Sequence, residues 1–180
     1  AADVTVTNST FGSGVTNLSI VNAGANTAGP VSVTLNSATA VSAVSTGTAF
    51  TTVDVVDTST TAASTGSTLT NVTVTKATGA VTLTGNAIST VNLNAATGGT
   101  TITAATGTRA LTINTAGTTD STTVTDSKAT SVTLNETSAA VMTTLTAAVA
   151  TAVNVNTTGT ATNAGSESIV AAKMTALTLD

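Results

Sequence analysis

Apolar residues recur along this chain in apolar-polar-apolar triplets, the mark of a strand with one buried face. They occur at Val33-Thr34-Leu35, Val53-Asp54-Val55, Val72-Thr73-Val74, Val91-Asn92-Leu93, Leu111-Thr112-Ile113, Val132-Thr133-Leu134, Val153-Asn154-Val155 and Leu177-Thr178-Leu179. The steps between them are 20, 19, 19, 20, 21, 21 and 24 residues. A near-constant period of this size is the signature of a repeat architecture. A second series lies between the first: Thr82-Leu83-Thr84, Thr101-Ile102-Thr103, Thr123-Val124-Thr125 and Thr144-Leu145-Thr146. Its phase is inverted, with one central apolar residue flanked by outward threonines. Val41 with Val44, and Ala62 with Ala63, extend it backward in weaker form, and Ile169 extends it forward.

This pattern predicts an all-β fold, a β-solenoid (parallel β-helix) with rungs of about 20 residues. Each rung supplies two or three short strands that pair with their equivalents above and below, around a thin core of small aliphatics. Glycines at 79, 85, 98, 99, 107, 117 and 159 punctuate the corners. Eight rungs at about 4.8 Å give a rod roughly 38 Å long. The domain division is an irregular N-terminal rung or cap over 1–30 and a solenoid over 31–180, together one domain. The first part is set apart because Val4-Thr5-Val6 and Leu18-Ser19-Ile20 fall 14 and 15 residues from their successors and Pro30 follows them. The rival architecture is a β-sandwich, which would show strands every 8–12 residues. Residues 138–152 and 166–176 also fit short helices.

Composition narrows the function. The 180 residues include no Cys, His, Trp or Tyr, which excludes ordinary zinc, iron–sulfur and haem sites, thiol catalysis and a Ser-His-Asp triad. Four cations and two Phe do not equip the chain to track or stack nucleic acid. No run of 18 apolar residues is present to cross a bilayer, so no membrane insertion is expected. No charged segment leads into an apolar one as in a signal peptide. The Ala1-Ala2-Asp3 start fits either a cleaved leader or a piece of a longer chain. Thr and Ser number 49 and 17, and only 7% of residues are charged. This composition points to a bacterial extracellular protein.

The VTLN, VNLN and LTIN runs, here Val132 to Asn135, Val91 to Asn94 and Leu111 to Asn114, carry a resemblance. With the Thr/Ala/Val/Asn texture of residues 31–180, the chain resembles the β-solenoid regions of bacterial S-layer and other secreted surface-array proteins. The resemblance implies self-assembly at a cell surface. The calcium-binding glycine- and aspartate-rich nonapeptide of that family is missing, so its calcium dependence is not carried over.

Asn follows the triplet at Asn36, Asn94, Asn114, Asn135 and Asn156, which predicts a stacked amide ladder at one structural position. The acid pairs Asp54 with Asp57 and Asp120 with Asp126 are the calcium candidates, against the plainer reading that they solubilise the surface. Calcium is the only cofactor that enters the reading. Lys76, Arg109, Lys128 and Lys173 are scattered and read as edge gatekeepers or solubilising charges. Thr82, Thr84, Thr101, Thr103, Thr123, Thr125, Thr144 and Thr146 form a flat Thr-x-Thr grid, with pairs about 6.6 Å apart along a strand. Such a grid suits ice binding. Thr is also a good strand former that fills outward positions wherever it is abundant. Five N-x-S/T sequons match chance in so Thr- and Asn-rich a chain.

The expected function is non-enzymatic: a structural protein of the bacterial cell surface or extracellular matrix that assembles into an S-layer-like lattice or filament. Its partners are other copies of itself, end to end or side by side. The final Leu177-Thr178-Leu179-Asp180 reads as a core rung, to be followed by more solenoid or covered by another protomer. The alternatives are an adhesin stalk or passenger region and an ice-binding protein.

Overall fold

A computed structural model of the chain describes residues 2–7, 17–22, 28–35, 39–57, 68–104, 109–116, 122–136, 142–158 and 168–180. Its strands, in chain order, are β1 (Ala2–Thr7), β2 (Asn17–Asn22), β3 (Ala28–Leu35), β4 (Ala40–Ser45), β5 (Val53–Asp57), β6 (Asn71–Ala77), β7 (Val81–Thr84) and β8 (Thr90–Ala96). They continue as β9 (Thr100–Thr103), β10 (Arg109–Ala116), β11 (Thr122–Asp126), β12 (Ala129–Glu136), β13 (Met142–Thr146), β14 (Ala152–Thr157), β15 (Ser168–Val170) and β16 (Ala176–Leu179). The odd-numbered strands form one eight-stranded sheet, here sheet A, and the even-numbered strands form a second, sheet B. Every neighbouring pair is parallel, and each strand pairs with the strand two places on. This is a β-solenoid in which each coil gives one strand to each sheet.

The period-2 pattern of the sequence explains the layering. Val53 and Val55 of β5, Val81 and Leu83 of β7, and Leu111 and Ile113 of β10 point inward and are fully buried. The residues between them face outward and are half-buried or exposed. Among the described residues, the core is a thin sandwich of Val, Leu, Ile and Ala that also holds the aromatic ring of Phe50. Alternation of this kind fixes strand register only to the nearest two residues, because a two-residue slip keeps every side chain on its own face.

Parallel pairing removes the β-sandwich alternative, which needs antiparallel sheets. The described parts of the two proposed helices hold strands β13 and β15 and the turns that follow them, with no helix. Leu145 in β13 is buried, and Ile169 in β15 pairs with it. Ladder hydrogen bonds and a buried inward column outweigh a helical spacing that Val149 and Leu145 share by coincidence.

The main triplet series is not one column. Val33 and Val53 lie in sheet A, whereas Val72, Val91, Leu111, Val132, Val153 and Leu177 lie in sheet B. Val41, placed with the second series by its sequence, stands in sheet B and pairs with Val72, 31 positions on. The early coils are longer than twenty residues, so a twenty-residue step crosses from one sheet to the other. Ala62 and Ala63 lie outside the described residues. A slip also divides sheet B. Val72 stacks on Val91 and Leu111 on Val132, but Val91 stacks on Ile113. Sheet A slips equally at the same height, with Val124 on Thr100 rather than Ile102.

β1 and β2 pair in register with β3 and β4 and so continue the same two sheets. Pro30 sits inside β3 where the register with β1 shifts, a place where its missing N–H removes no ladder bond.

The corners are set by two backbone devices. Among the described residues, Lys76 and Ala95 are the non-glycine residues with positive φ, at 58° and 53°. They occupy equivalent positions, since Ala77 pairs with Ala96, and the left-handed residue turns the next alanine back into the core. Replacing Ala95 by Gly is expected to raise stability by about 0.5–1 kcal/mol, the relief of left-handed strain less the extra chain entropy of glycine. A denaturation midpoint unchanged or lowered in Ala95→Gly would contradict that strain. The second device is close backbone stacking. A Cβ on Gly79 would fall 1.8 Å from the Thr51 carbonyl oxygen, and one on Gly98 would fall 1.9 Å from that of Gly79.

Candidate functional site

The two outer faces differ in chemistry. Sheet A presents the threonine grid. Thr82 and Thr84 stack on Thr101 and Thr103, and Thr123 and Thr125 stack on Thr144 and Thr146. The slip joins these blocks through Thr101 on Thr125, so one column runs Thr82, Thr101, Thr125, Thr146 while the other is stepped. All eight side chains point away from the core, with Thr101, Thr103 and Thr123 the most exposed. Asp54 and Val56 continue these columns above Thr82 and Thr84.

Sheet B presents amides. Asn156 Nδ2 donates to Asn135 Oδ1 at 2.8 Å, Asn135 Nδ2 to Asn114 Oδ1 at 2.8 Å, and Asn114 Nδ2 to Asn92 Oδ1 at 2.7 Å. Asn92 Nδ2 then donates to Thr73 Oγ1 at 3.1 Å. A ladder therefore exists at Asn114, Asn135 and Asn156, but Asn92 takes the place assigned to Asn94. The two-residue slip is the cause: Asn94 pairs with Ala116 and lies one pleat further along the strand. Asn36 lies outside the described residues. The ladder stands on the outward face of the strands.

The acidic candidates do not converge. Asp54 faces outward and Asp57 inward on the same strand. Asp57 is fully buried, and its Oδ2 accepts the backbone N–H groups of Thr68 and Leu69 at 3.1 Å each. Asp120 lies outside the described residues. Asp126 is fully buried at the corresponding corner, and its Oδ1 accepts from Lys128 N at 2.7 Å and Ala129 N at 2.9 Å. These carboxylates close the corners from sheet A to sheet B, as an acid does at a turn. Among the described residues no three His, Cys, Asp or Glu side chains come together to hold a metal ion.

Arg109 overturns its reading as a surface charge. Its side chain is 9% exposed and forms an ion pair with Asp126 of the next coil. Its Nε donates to the Ile88 carbonyl of the coil before, and Nη1 is buried with no partner. Burial pushes this guanidinium below its ordinary pKa, and the Asp126 carboxylate opposes that shift. Lys76 is exposed at a corner, its ammonium donating to the Gly47 carbonyl at 2.9 Å.

A recurring hydroxyl clasp escaped the sequence reading. Two residues ahead of the inward triplet, a side-chain hydroxyl donates to a backbone carbonyl of the coil before. Thr70 donates to Thr39, Ser89 to Thr70, Thr130 to Arg109, Thr151 to Thr130 and Thr175 to Thr151. The signal was available: Thr or Ser stands at that phase in five of the six sheet B triplets from Val72 onward, and Arg109 is the exception. There the guanidinium binds the preceding carbonyl instead.

Comparison with known protein families, characterised proteins and solved structures finds no match to the chain.

Proposed function

We propose that this chain is a structural building block of the bacterial cell surface or extracellular matrix, a solenoid rod that assembles into a lattice or filament. The observation that carries this reading is the pair of parallel ladders, in which every coil is both template and partner for the next. The coil of β15 and β16 presents column positions that are buried in the coils before it: Leu177 is 46% and Leu179 66% exposed. A coil stacked on that edge would bury those residues and lengthen the rod. The charge-poor outer faces suit close packing of rods, and the Thr-rich, charge-poor composition suits an exterior setting. Electron microscopy of the purified chain at increasing concentration is expected to show filaments or sheets. Persistent single particles would favour the stalk reading, in which the rod is a spacer for a binding domain.

The threonine grid supports ice binding as a second reading, because sheet A aligns the Thr pairs of neighbouring coils on one flat face. That reading predicts faceted ice crystals and a lowered freezing point in the presence of the chain. Ice crystals that grow unshaped would remove it.

A further inference from the structure

We infer that the outer face of sheet B is the lateral contact between rods, and that its occupant is the same face of a second copy. The inference deepens the lattice reading and rests on it. Asn is poorly suited to strands, yet it is concentrated on this face, at positions including Asn71, Asn92, Asn114, Asn135, Asn154 and Asn156. Among the described residues, no Asn lies in a strand of sheet A. Local strand preference does not account for amides gathered on one face only.

Three properties make this face dockable. It is nearly uncharged: among the described outward positions from β2 to β14 the single charge is Lys76, at a corner and tied to Gly47. Charge confined to the rim and excluded from the centre is the pattern of a protein interface. Its amide column is partly satisfied beforehand. Each ladder amide already donates along the column, so removing water costs less than it would for free amides. It is also large enough. Seven strands about 4.8 Å apart and roughly six residues long give a face on the order of 650 Å². Two such faces bury on the order of 1,300 Å², above the roughly 1,000 Å² that a specific contact requires.

The row spacing selects the occupant. The face is ruled at about 4.8 Å by strand pairing, and a partner that interdigitates over seven rows must share that repeat. A second copy does so by construction, and paired flat sheets with stacked amides form dry interfaces in this way. The contact is isologous, so it forms pairs, and sheet A or the rod ends remain free for the next contact.

The test compares charge placed on each face. Thr112→Lys with Thr133→Lys marks sheet B, and Thr101→Lys with Thr125→Lys marks sheet A. Circular dichroism and melting establish that each variant folds, and sedimentation equilibrium reads association. The parent chain is expected to form dimers or larger species, the sheet B variant to associate at least tenfold more weakly, and the sheet A variant to keep its dimer. Loss of dimer in the sheet A variant alone, or equal association in all three, would overturn the inference. Filaments of the sheet B variant together with dimerisation as strong as the parent's would leave the lattice reading standing while this contact fell. A parent chain that is monomeric at millimolar concentration would remove both. If a variant fails to fold, Thr→Glu at the same positions replaces it and is read the same way.

Discussion

Arg109→Ala is expected to lower stability by about 3–5 kcal/mol, the usual cost of leaving one partner of a buried ion pair alone. Asp126 would remain fully buried with two backbone donors and no cation. The Ile88 carbonyl would lose its Nε donor. Urea denaturation should show an early transition, and amide exchange should quicken in β10 and β12. The pair also has an apolar substitute within this sequence. The same corner of other coils is filled by Leu69, Ile88, Ala129 and Ala150, and Ala147 stands where Asp126 does in the neighbouring coil. Since Nη1 of Arg109 is unpartnered, the ion pair is incompletely satisfied. Arg109→Leu combined with Asp126→Asn, whose amide oxygen still accepts from Lys128 N and Ala129 N, should therefore recover all but about 2 kcal/mol, because well-packed apolar residues often replace the charge of a buried pair without loss and only the amide N–H side is left unpaired. A double variant as unstable as Arg109→Ala would show that the pair does more than hold this corner.

Gly98→Ala is the second large effect, expected at about 3 kcal/mol or more. A Cβ there falls 1.9 Å from the Gly79 carbonyl oxygen and 2.2 Å from its carbon, and both belong to backbone that cannot rotate away. Gly99→Ala is the control. Its Cβ would meet nothing nearer than the Thr123 carbonyl oxygen at 3.8 Å, an ordinary contact, and its cost should stay within about 1 kcal/mol. Melting temperatures of the two variants would separate the explanations. Equal losses would mean that glycine serves these corners through chain flexibility and not through close approach.

Much of this fold is written in the periodicity. The inward triplets and the Thr-x-Thr series place β6 through β14 correctly, because within each of them inward aliphatics alternate with outward Thr or Asn. What periodicity leaves open is register. A shift of two residues alters no side chain's face, so the sequence had no means of choosing Asn92 over Asn94 as the next step of the ladder. Coil length is hidden in the same way. Val33 and Val53 fit the twenty-residue rhythm and yet belong to the other sheet, since longer early coils change which sheet a step reaches. Buried charge was the other blind spot. Arg109, Asp57 and Asp126 look like solvated residues in a charge-poor sequence. Only the hydroxyl recurring two places ahead of each triplet, absent at Arg109, marked that residue as exceptional. Of the candidate residues, the Thr pairs and Asn114, Asn135 and Asn156 stack as the periodicity suggests and Asn94 does not, and the chemical contrast between the two faces became visible only once the strands were sorted into sheets.

The amide ladder has one last consequence. In the sheets themselves the peptide groups alternate up and down along each strand and largely cancel. The Asn side chains do not, for all the donors from Asn156 to Asn92 face the same way. Their dipoles add, giving the rod an electrical head and tail. Two neighbours lying flank to flank lower their energy by running in opposite directions, so an array of such rods tends toward alternating polarity and no net moment.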